Sequence, residues 1–172
     1  MGRDKAFLPV AGVPLGAHLG RLLETAAGTA VLVGDARVYG GLGYPVVPDH
    51  YPGEGPLGGI LTALRHTAAD LNLIVACDMP RLTVEFLREL LDAAAANPAG
   101  VLIPETAGGH REPLCAVYSR SALPGLQRAF DTGIREVTAA CEGLDVRSYP
   151  VAEVSYFQNL NTPEDWGRYA AG

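Results

Sequence analysis

Apolar residues recur along the chain in two alternating patterns, short continuous runs and helical spacings of three and four positions. Leu71–Cys77 is a nearly unbroken apolar run, the pattern of a parallel strand covered on both faces. Leu57–His66 and Thr83–Ala96 instead repeat apolar residues at helical spacing. The same reading predicts further short strands at Thr29–Val33, Tyr44–Val47, Val101–Ile103, Leu114–Tyr118 and Val146–Pro150, and further helices at Ser121–Phe130, at about Ile134–Cys141 and from Pro163.

This alternation of strands and helices predicts an α/β fold, a three-layer arrangement in which an open, mostly parallel sheet carries helices on both faces. The 172 residues contain no repeat and no obvious linker, so we expect a single domain spanning 1–172. In such sheets ligands bind beyond the carboxyl ends of the strands. The residues that follow the predicted strands are therefore the candidates for a site, and they are Gly34-Asp35, Asp49-His50, Asp78-Met79-Pro80 and Asn159-Leu160-Asn161.

Composition and charge narrow the class of partner. No apolar run approaches the roughly 20 residues of a membrane helix, and the N-terminus has no signal layout, so we expect a cytoplasmic protein that does not enter membranes. The net charge of −6, without a basic cluster, argues against nucleic-acid binding. The three cysteines have no CxxC spacing, which argues against a disulfide framework or a zinc site. An anionic small molecule would need cations supplied locally, by a few side chains or a metal.

Two charged residues are the strongest candidates for such a site. Lys5 is the only lysine among the 13 basic residues, and its compact ammonium differs from the planar fork of arginine where a point charge is needed. Asp78 follows the apolar run Leu71–Cys77, where a carboxylate is well placed to hold a hard cation such as Mg²⁺. The alternative for Asp78 is a helix cap, but Thr83 lies closer to the next helix and is itself a competent cap.

The glycine-rich stretch from Pro52 to Ile60 is the third candidate. Pro56 suits the first turn of a helix, yet Gly58 and Gly59 fall within that turn, and each helical glycine costs about 1 kcal/mol relative to alanine. Close approach of a ligand to bare backbone would compensate that cost. Tight packing of the helix on the sheet would do so equally well, and the sequence leaves both explanations open.

Asn159 and Asn161 are spaced so that both side chains point to one side of an extended segment. The neighbouring Thr162 and Pro163 are ordinary helix-start residues, and a turn role remains the alternative for each asparagine. Cys77 is interpreted as a buried small apolar residue, because no Cys-His or Ser-His-Asp arrangement can be argued from order alone.

Together these stretches resemble the MobA family, the molybdenum cofactor guanylyltransferases. The resemblance runs the whole length of the chain, and its specificity comes from the order and spacing of several motifs. These motifs are Met1-Gly2-Arg3-Asp4-Lys5-Ala6, Gly12-Val13-Pro14-Leu15 with His18, Asp49 with Gly53-Glu54-Gly55-Pro56-Leu57-Gly58-Gly59-Ile60, Ala76-Cys77-Asp78-Met79-Pro80, Glu112-Pro113-Leu114-Cys115-Ala116-Val117-Tyr118 and Asn159-Leu160-Asn161-Thr162-Pro163-Glu164-Asp165.

The resemblance implies a Rossmann-like nucleotidyltransferase that transfers GMP from GTP to molybdopterin, usually carrying molybdenum, with release of pyrophosphate. By the same resemblance Lys5 would neutralise the triphosphate and Asp78 would hold the Mg²⁺ that bridges it. The guanine would lie against the turn formed by Gly55, Pro56, Leu57, Gly58 and Gly59, with Asp49 also in the nucleotide pocket. Asn159 and Asn161 would line the cleft near the metal and the pterin, with Arg135 as an anion contact on the pterin side. Other proteins of cofactor biosynthesis are further expected partners.

The chain departs from the family pattern at its start. The family begins with a strand that enters a glycine- and arginine-rich loop around the phosphates, and here position 1 matches the last residues of that loop. We therefore expect a strand of about 5–6 residues and part of the loop to be missing, with exposed pairing edges on the neighbouring strands and reduced activity of the chain as it stands. The alternatives are a cytidylyltransferase acting on molybdopterin, a sugar-phosphate nucleotidyltransferase, and an inactive nucleotide-binding relative.

Overall fold

The computed structural model describes residues 4–10, 12–158, 166, 167 and 169. Short 3-10 turns at Lys5–Phe7, Gly40–Leu42, Arg120–Ala122 and Val154–Phe157 accompany the longer elements. In chain order the strands and helices are β1 (Pro9–Val10), β2 (Val13–Pro14), α1 (Leu15–Ala27), β3 (Leu32–Val33), α2 (Ala36–Tyr39), β4 (Val46–Val47), α3 (Pro56–His66), β5 (Leu71–Val75), α4 (Val84–Ala96), β6 (Val101–Thr106), β7 (Cys115–Ser119), α5 (Leu123–Asp131), α6 (Val137–Ala140) and β8 (Val146–Val151).

The main sheet has the strand order β5-β7-β6-β8. Strand β7 runs antiparallel to both of its neighbours, whereas β6 and β8 are parallel. Strands β5, β6 and β8 therefore point in one direction and end at the same edge of the sheet. Strands β3 and β4 form a separate parallel pair, and β1 and β2 a small antiparallel one. The α/β prediction is confirmed, and the sheet is mixed because β7 reverses direction.

Helices cover both faces of this sheet. Alternate residues of β6 point to opposite sides, so that Val101 and Ile103 join one buried cluster with helices α3 and α5, while Leu102 joins another with α4. Helix α1 packs beside α4 on the second face, where Leu15 and Leu87 share a cluster. The three-layer prediction is confirmed, and none of the helices in the described ranges is long and apolar enough to cross a membrane.

Strand β5 is less enclosed than its apolar sequence predicts. Its five residues are all partly exposed, while Cys115–Tyr118 of β7 are buried. Within the described part of the chain β5 is hydrogen-bonded along one side only, to β7. The sequence predicts that Leu71–Cys77 is covered on both faces, but in the structure β7 is the buried strand and β5 is partly exposed. The expected strand and loop ahead of position 1 stay a prediction.

Helix α1 is absent from the predicted elements, although Leu15, Leu19, Leu22 and Leu23 recur at helical spacing. Gly16 and Gly20 weaken the helical pattern, but the fold explains them. A Cβ on Gly16 would lie 2.8 Å from Leu42 Cδ1, and one on Gly20 would clash with the ring of Tyr44. These glycines let the segment around Leu42 and Tyr44 approach the helix closely.

Candidate active site

Lys5 and Asp78 meet at the end of the main sheet, although 73 positions separate them in the sequence. Asp78 lies three residues beyond β5, at the edge where β5, β6 and β8 end, and Lys5 lies in the 3-10 turn Lys5–Phe7. The Lys5 Nζ atom donates to Asp78 Oδ2 at 3.1 Å, and the two side chains are 30% and 20% exposed. This partial burial leaves the pair less screened than a surface ion pair. The structure thus brings together the two residues on which the predicted chemistry depends.

The second carboxylate oxygen of Asp78 is placed to accept a cation. Asp78 Oδ1 is buried and has no hydrogen-bond partner among the described residues. The alternative role as a helix cap is taken by Thr83, whose side chain accepts a hydrogen bond from the Phe86 amide at 3.2 Å. A buried oxygen without a donor costs free energy unless a ligand satisfies it. The donor chemistry and this orphaned atom therefore fit a hard divalent cation.

Protein side chains alone would not complete the coordination of such an ion. Within the described ranges, no three His, Cys, Asp or Glu side chains cluster as a metal site. Mg²⁺ is commonly held by one or two carboxylates, with waters and substrate phosphates filling the remaining positions. The arrangement at Asp78 is suited to a cation that arrives with a phosphate ligand.

The turn that carries Lys5 is fixed by its own backbone and by one side chain. Asp4 caps it, because its Oδ1 atom accepts from the Ala6 amide at 3.0 Å. The Leu8 amide donates to the Lys5 carbonyl at 3.0 Å, and the Leu15 amide at the start of α1 donates to the Leu8 carbonyl at 2.8 Å. The buried Ala6 side chain anchors the turn in the core. Lys5 is therefore held on a turn that is hydrogen-bonded, through Leu8, to the start of α1.

The glycines of the glycine-rich turn differ in their surroundings and therefore in their roles. Gly55 has φ of 81°, in the left-handed region that favours glycine, directly before Pro56 starts α3. A Cβ on Gly58 would lie 2.8 Å from Tyr51 Cβ and 3.2 Å from the Tyr51 carbonyl oxygen, so Gly58 serves packing. A Cβ on Gly59 would meet no atom within 4 Å. Of the two explanations left open by the sequence, packing accounts for Gly58, and Gly59 is the position that a ligand could approach.

The predicted contact from Leu57 is restricted by its burial. The residue as a whole is 0% exposed and lies in the core cluster with Ile60 and Leu61. Leu57 therefore packs in the core, and its predicted contact with the nucleotide stays a prediction.

Asp49 follows β4 and is oriented by helix α3. Its Oδ1 atom accepts from the Tyr51 amide at 2.9 Å and from the Thr62 hydroxyl at 3.1 Å. Thr62 is fully buried, and its oxygen also accepts from the His50 amide at 3.1 Å. Thr62 was not among the predicted site residues; the signal that could have found it is a polar residue on the apolar face of Leu57–His66.

Arg135 lies beside the glycine-rich turn. Its Nε atom donates to Glu54 Oε2 at 2.5 Å, and its Nη1 atom donates to the Phe130 carbonyl at 2.7 Å. The guanidinium also stacks over the Phe130 ring, with Cζ 3.8 Å from the ring centroid. These contacts tie the turn to the end of α5, so the structure gives Arg135 a role in holding that turn. The predicted pterin contact stays a prediction.

Two further expectations have different outcomes. Asn159 and Asn161 lie outside the described residues, as does most of the helix expected from Pro163, and the roles of the two asparagines stay predictions. Cys77 was expected to be buried and is exposed, since it lies in the loop after β5 next to Asp78. The apolar run Leu71–Cys77 therefore continues two residues beyond the strand that it predicts.

Glu112 is a buried acid near the site that the sequence did not single out as functional. Only 7% of the residue is exposed, and its Oε1 atom accepts from the Leu114 amide at 3.3 Å. Burial raises the pKa of the Glu112 carboxyl, and the negative charge of Asp78 adds a smaller push in the same direction.

Comparison with known proteins agrees with this geometry. Residues 1–146 match the family described as the MobA-like NTP transferase domain. A protein of Carboxydothermus hydrogenoformans named probable molybdenum cofactor guanylyltransferase is 36% identical over 173 residues, covering 96% of this chain and 86% of that protein. A molybdenum cofactor guanylyltransferase of Syntrophotalea carbinolica is 28% identical and covers 100% of this chain and 87% of its own.

Solved structures show the same relationship. The molybdopterin-guanine dinucleotide biosynthesis protein A of Archaeoglobus fulgidus superposes with a TM-score of 0.81 at 31% identity, over 98% of this chain and 89% of that one. The 2-C-methyl-D-erythritol 4-phosphate cytidylyltransferase of Thermus thermophilus superposes with a TM-score of 0.75 at 17% identity, over 97% and 92% of the two chains. The second likeness concerns the fold alone.

Proposed function

Because this chain belongs to the MobA-like NTP transferase family, we propose that it is the molybdenum cofactor guanylyltransferase of its cell, which transfers GMP from GTP to molybdopterin. The nucleotidyltransferase class follows from the family and from the relatives of that name. The observation that carries the proposal is the pairing of Lys5 with Asp78 at 3.1 Å, with Asp78 Oδ1 left buried and unsatisfied among the described residues.

The proposed reaction is a displacement at the α-phosphate of GTP. The terminal phosphate of molybdopterin, with or without bound molybdenum, forms a new P–O bond there. The bond between the α-phosphorus and the bridging oxygen breaks, and pyrophosphate leaves with the electron pair. Such transfers depend on positioning and charge neutralisation and need no covalent intermediate on the protein. In this proposal the Lys5 ammonium neutralises triphosphate oxygens as negative charge moves to the leaving group.

Mg²⁺ is the proposed metal, with Asp78 as its protein ligand. When bound, the ion would supply further neutralisation of the phosphate oxygens. The support is the orphaned Asp78 Oδ1 atom and the preference of Mg²⁺ for carboxylate oxygens. Asn159 and Asn161 are proposed to line the same cleft on the pterin side.

Guanine recognition is assigned to Asp49 and the open side of the glycine-rich turn. Tyr51 and Thr62 use the Oδ1 atom of Asp49, which leaves Oδ2 to accept from the N–H groups of a guanine edge. Gly59 offers bare backbone beside which a flat base can lie. Cytosine carries no ring N–H donor next to its amino group, so it satisfies a single carboxylate less well.

Binding and transfer should be measured separately on the purified protein. With Mg²⁺ present, GTP should bind more tightly than CTP or UTP in a competition titration; tighter binding of CTP would replace the proposal with a cytidylyltransferase. Transfer is followed as pyrophosphate release that depends on molybdopterin. Selective GTP binding without any transfer would instead identify an inactive nucleotide-binding protein.

Substitutions then test the residue assignments. We expect Lys5→Gln and Asp78→Asn each to lower transfer about a hundredfold or more, the magnitude typical of lost transition-state electrostatics. Arg128→Gln and Asp92→Asn are the matched controls, since both residues are exposed on helices α5 and α4. Transfer that survives both site substitutions would show that these residues do not carry the reaction.

A further inference from the structure

Tyr39, which is distant from Lys5 in the sequence, contacts the turn that carries Lys5. It ends helix α2, and its hydroxyl donates to Asp4 Oδ2 at 2.8 Å over a separation of 35 positions. Its ring stacks on Phe7, with centroids 6.1 Å apart and planes inclined by 11°. Asp4 caps the turn that holds Lys5 and Phe7 ends it, so Tyr39 contacts residues on both sides of the lysine.

The fold makes specific room for this tyrosine. Strand β3 ends at Val33, and the following Gly34 leaves space for the ring: a Cβ there would lie 2.5 Å from Tyr39 Cε2. The Asp35 side chain then caps α2 by accepting from the Arg37 amide at 2.8 Å. The sequence Gly34-Asp35 after β3 therefore places Tyr39 against the Lys5 turn.

The two oxygens of Asp4 are both engaged. Oδ1 accepts from the Ala6 amide and Oδ2 from the Tyr39 hydroxyl. Asp4 is adjacent to Lys5 in the chain. Without these two donors its carboxylate would compete with Asp78 and with a substrate phosphate for the Lys5 ammonium. The hydrogen bond to Asp4 raises the pKa of Tyr39 to about 12, so the phenol remains a donor throughout the neutral pH range.

We propose that Tyr39 is a positioning residue: it holds the Asp4 carboxylate away from the Lys5 ammonium, so that Lys5 points toward Asp78 and the phosphates of the substrate. The inference deepens the proposed function and rests on it for its catalytic consequence. The effect on the conformation of Lys5 is independent of any substrate.

Because Lys5 is the only lysine, its side chain can be observed directly. A protein labelled with ¹³C,¹⁵N-lysine gives a single Nζ signal by NMR. Tyr39→Phe, which removes only the hydroxyl, should shift or split that signal, since Asp4 Oδ2 loses its donor and can attract the ammonium. Tyr39→Phe combined with Asp4→Asn should restore a single signal close to that of Asp4→Asn alone, because asparagine keeps the cap and lacks the competing charge. An unchanged signal in Tyr39→Phe would overturn the proposal.

The activity arm uses the same variants. We expect Tyr39→Phe to lower kcat/KM for GTP about fivefold, the effect of losing one hydrogen bond of ordinary net strength. That loss should vanish when Asp4→Asn or Lys5→Gln is already present, whereas a purely structural role of Tyr39 would give additive losses. Tyr44→Phe is the matched control, because Tyr44 packs on Gly20 of α1, whereas the Asp4 oxygens accept from Ala6 and Tyr39. Absence of transfer in the parent protein would refute the proposed function while leaving the NMR result decisive for Tyr39.

Discussion

Gly58 and Gly59 are adjacent on helix α3, yet alanine substitutions at the two positions should have opposite effects on stability. Each replacement gains up to about 1 kcal/mol of helix propensity. At Gly59 nothing within 4 Å opposes the added methyl group, so Gly59→Ala should stabilise the protein by about 0.5–1 kcal/mol. At Gly58 the methyl group would meet Tyr51 Cβ at 2.8 Å and its carbonyl oxygen at 3.2 Å. Overpacking of this kind costs about 1–3 kcal/mol. After the gain in helix propensity is subtracted, Gly58→Ala should destabilise the protein by about 0–2 kcal/mol.

Thermal and urea unfolding of the two variants provide the measurement. For a chain of this length 1 kcal/mol corresponds to about 2–4 °C in Tm, so the variants should lie on opposite sides of the parent protein. Equal shifts of the two variants, or a destabilised Gly59→Ala, would refute the packing argument.

The same pair tests where the base lies. If guanine rests against Gly59, the added methyl group should weaken GTP binding about tenfold even though the protein is more stable. Isothermal titration of Gly59→Ala with GTP measures this directly. Unchanged affinity in a stabilised Gly59→Ala variant would remove the turn from the nucleotide site.

Three further predictions follow from single contacts. Thr83→Ala removes the cap of α4 and should cost about 1 kcal/mol in urea unfolding, with GTP affinity unchanged; a large loss of affinity would contradict a purely capping role. Thr62→Val leaves the His50 amide without its acceptor and removes one of the two donors to Asp49 Oδ1. Unfolding should therefore become about 1–3 kcal/mol easier and GTP binding weaker, and parent-like behaviour in both assays would exclude the anchoring role. Burial raises the pKa of Glu112 above its unfolded value of 4.5. The protonated carboxyl is therefore favoured by folding, and the stability that it contributes is fully present below pH 4.5 and is lost as pH rises through the folded pKa. Glu112→Gln stays neutral, so this variant should become more stable relative to the parent protein as pH rises from about 4 to 7. Urea unfolding across that range measures the difference, and a constant difference would contradict it.

The sequence by itself determined the order and type of most elements. Apolar periodicity located α3, α4 and the strands β6, β7 and β8, because the spacing of apolar residues reports which side of an element faces the core. Apolar periodicity does not say which strands pair with each other. For that reason the sequence did not predict that β7 is more buried than β5. Helix α1 was missed because Gly16 and Gly20 are poor helix formers, and only close contacts with Leu42 and Tyr44 explain them.

Within the site, the sequence supplied the residue types and the tertiary structure supplied their relations. The single lysine and the strand-end aspartate were visible as unusual residues, but their contact across 73 positions depends on how the first turn packs against the sheet. The division of labour between Gly58 and Gly59, the anchoring of Asp49 by Thr62 and the clamping of Asp4 by Tyr39 were likewise decided by folding. Local patterns encode the direction in which a side chain points, whereas the identity of the atom it meets depends on segments that are distant in sequence.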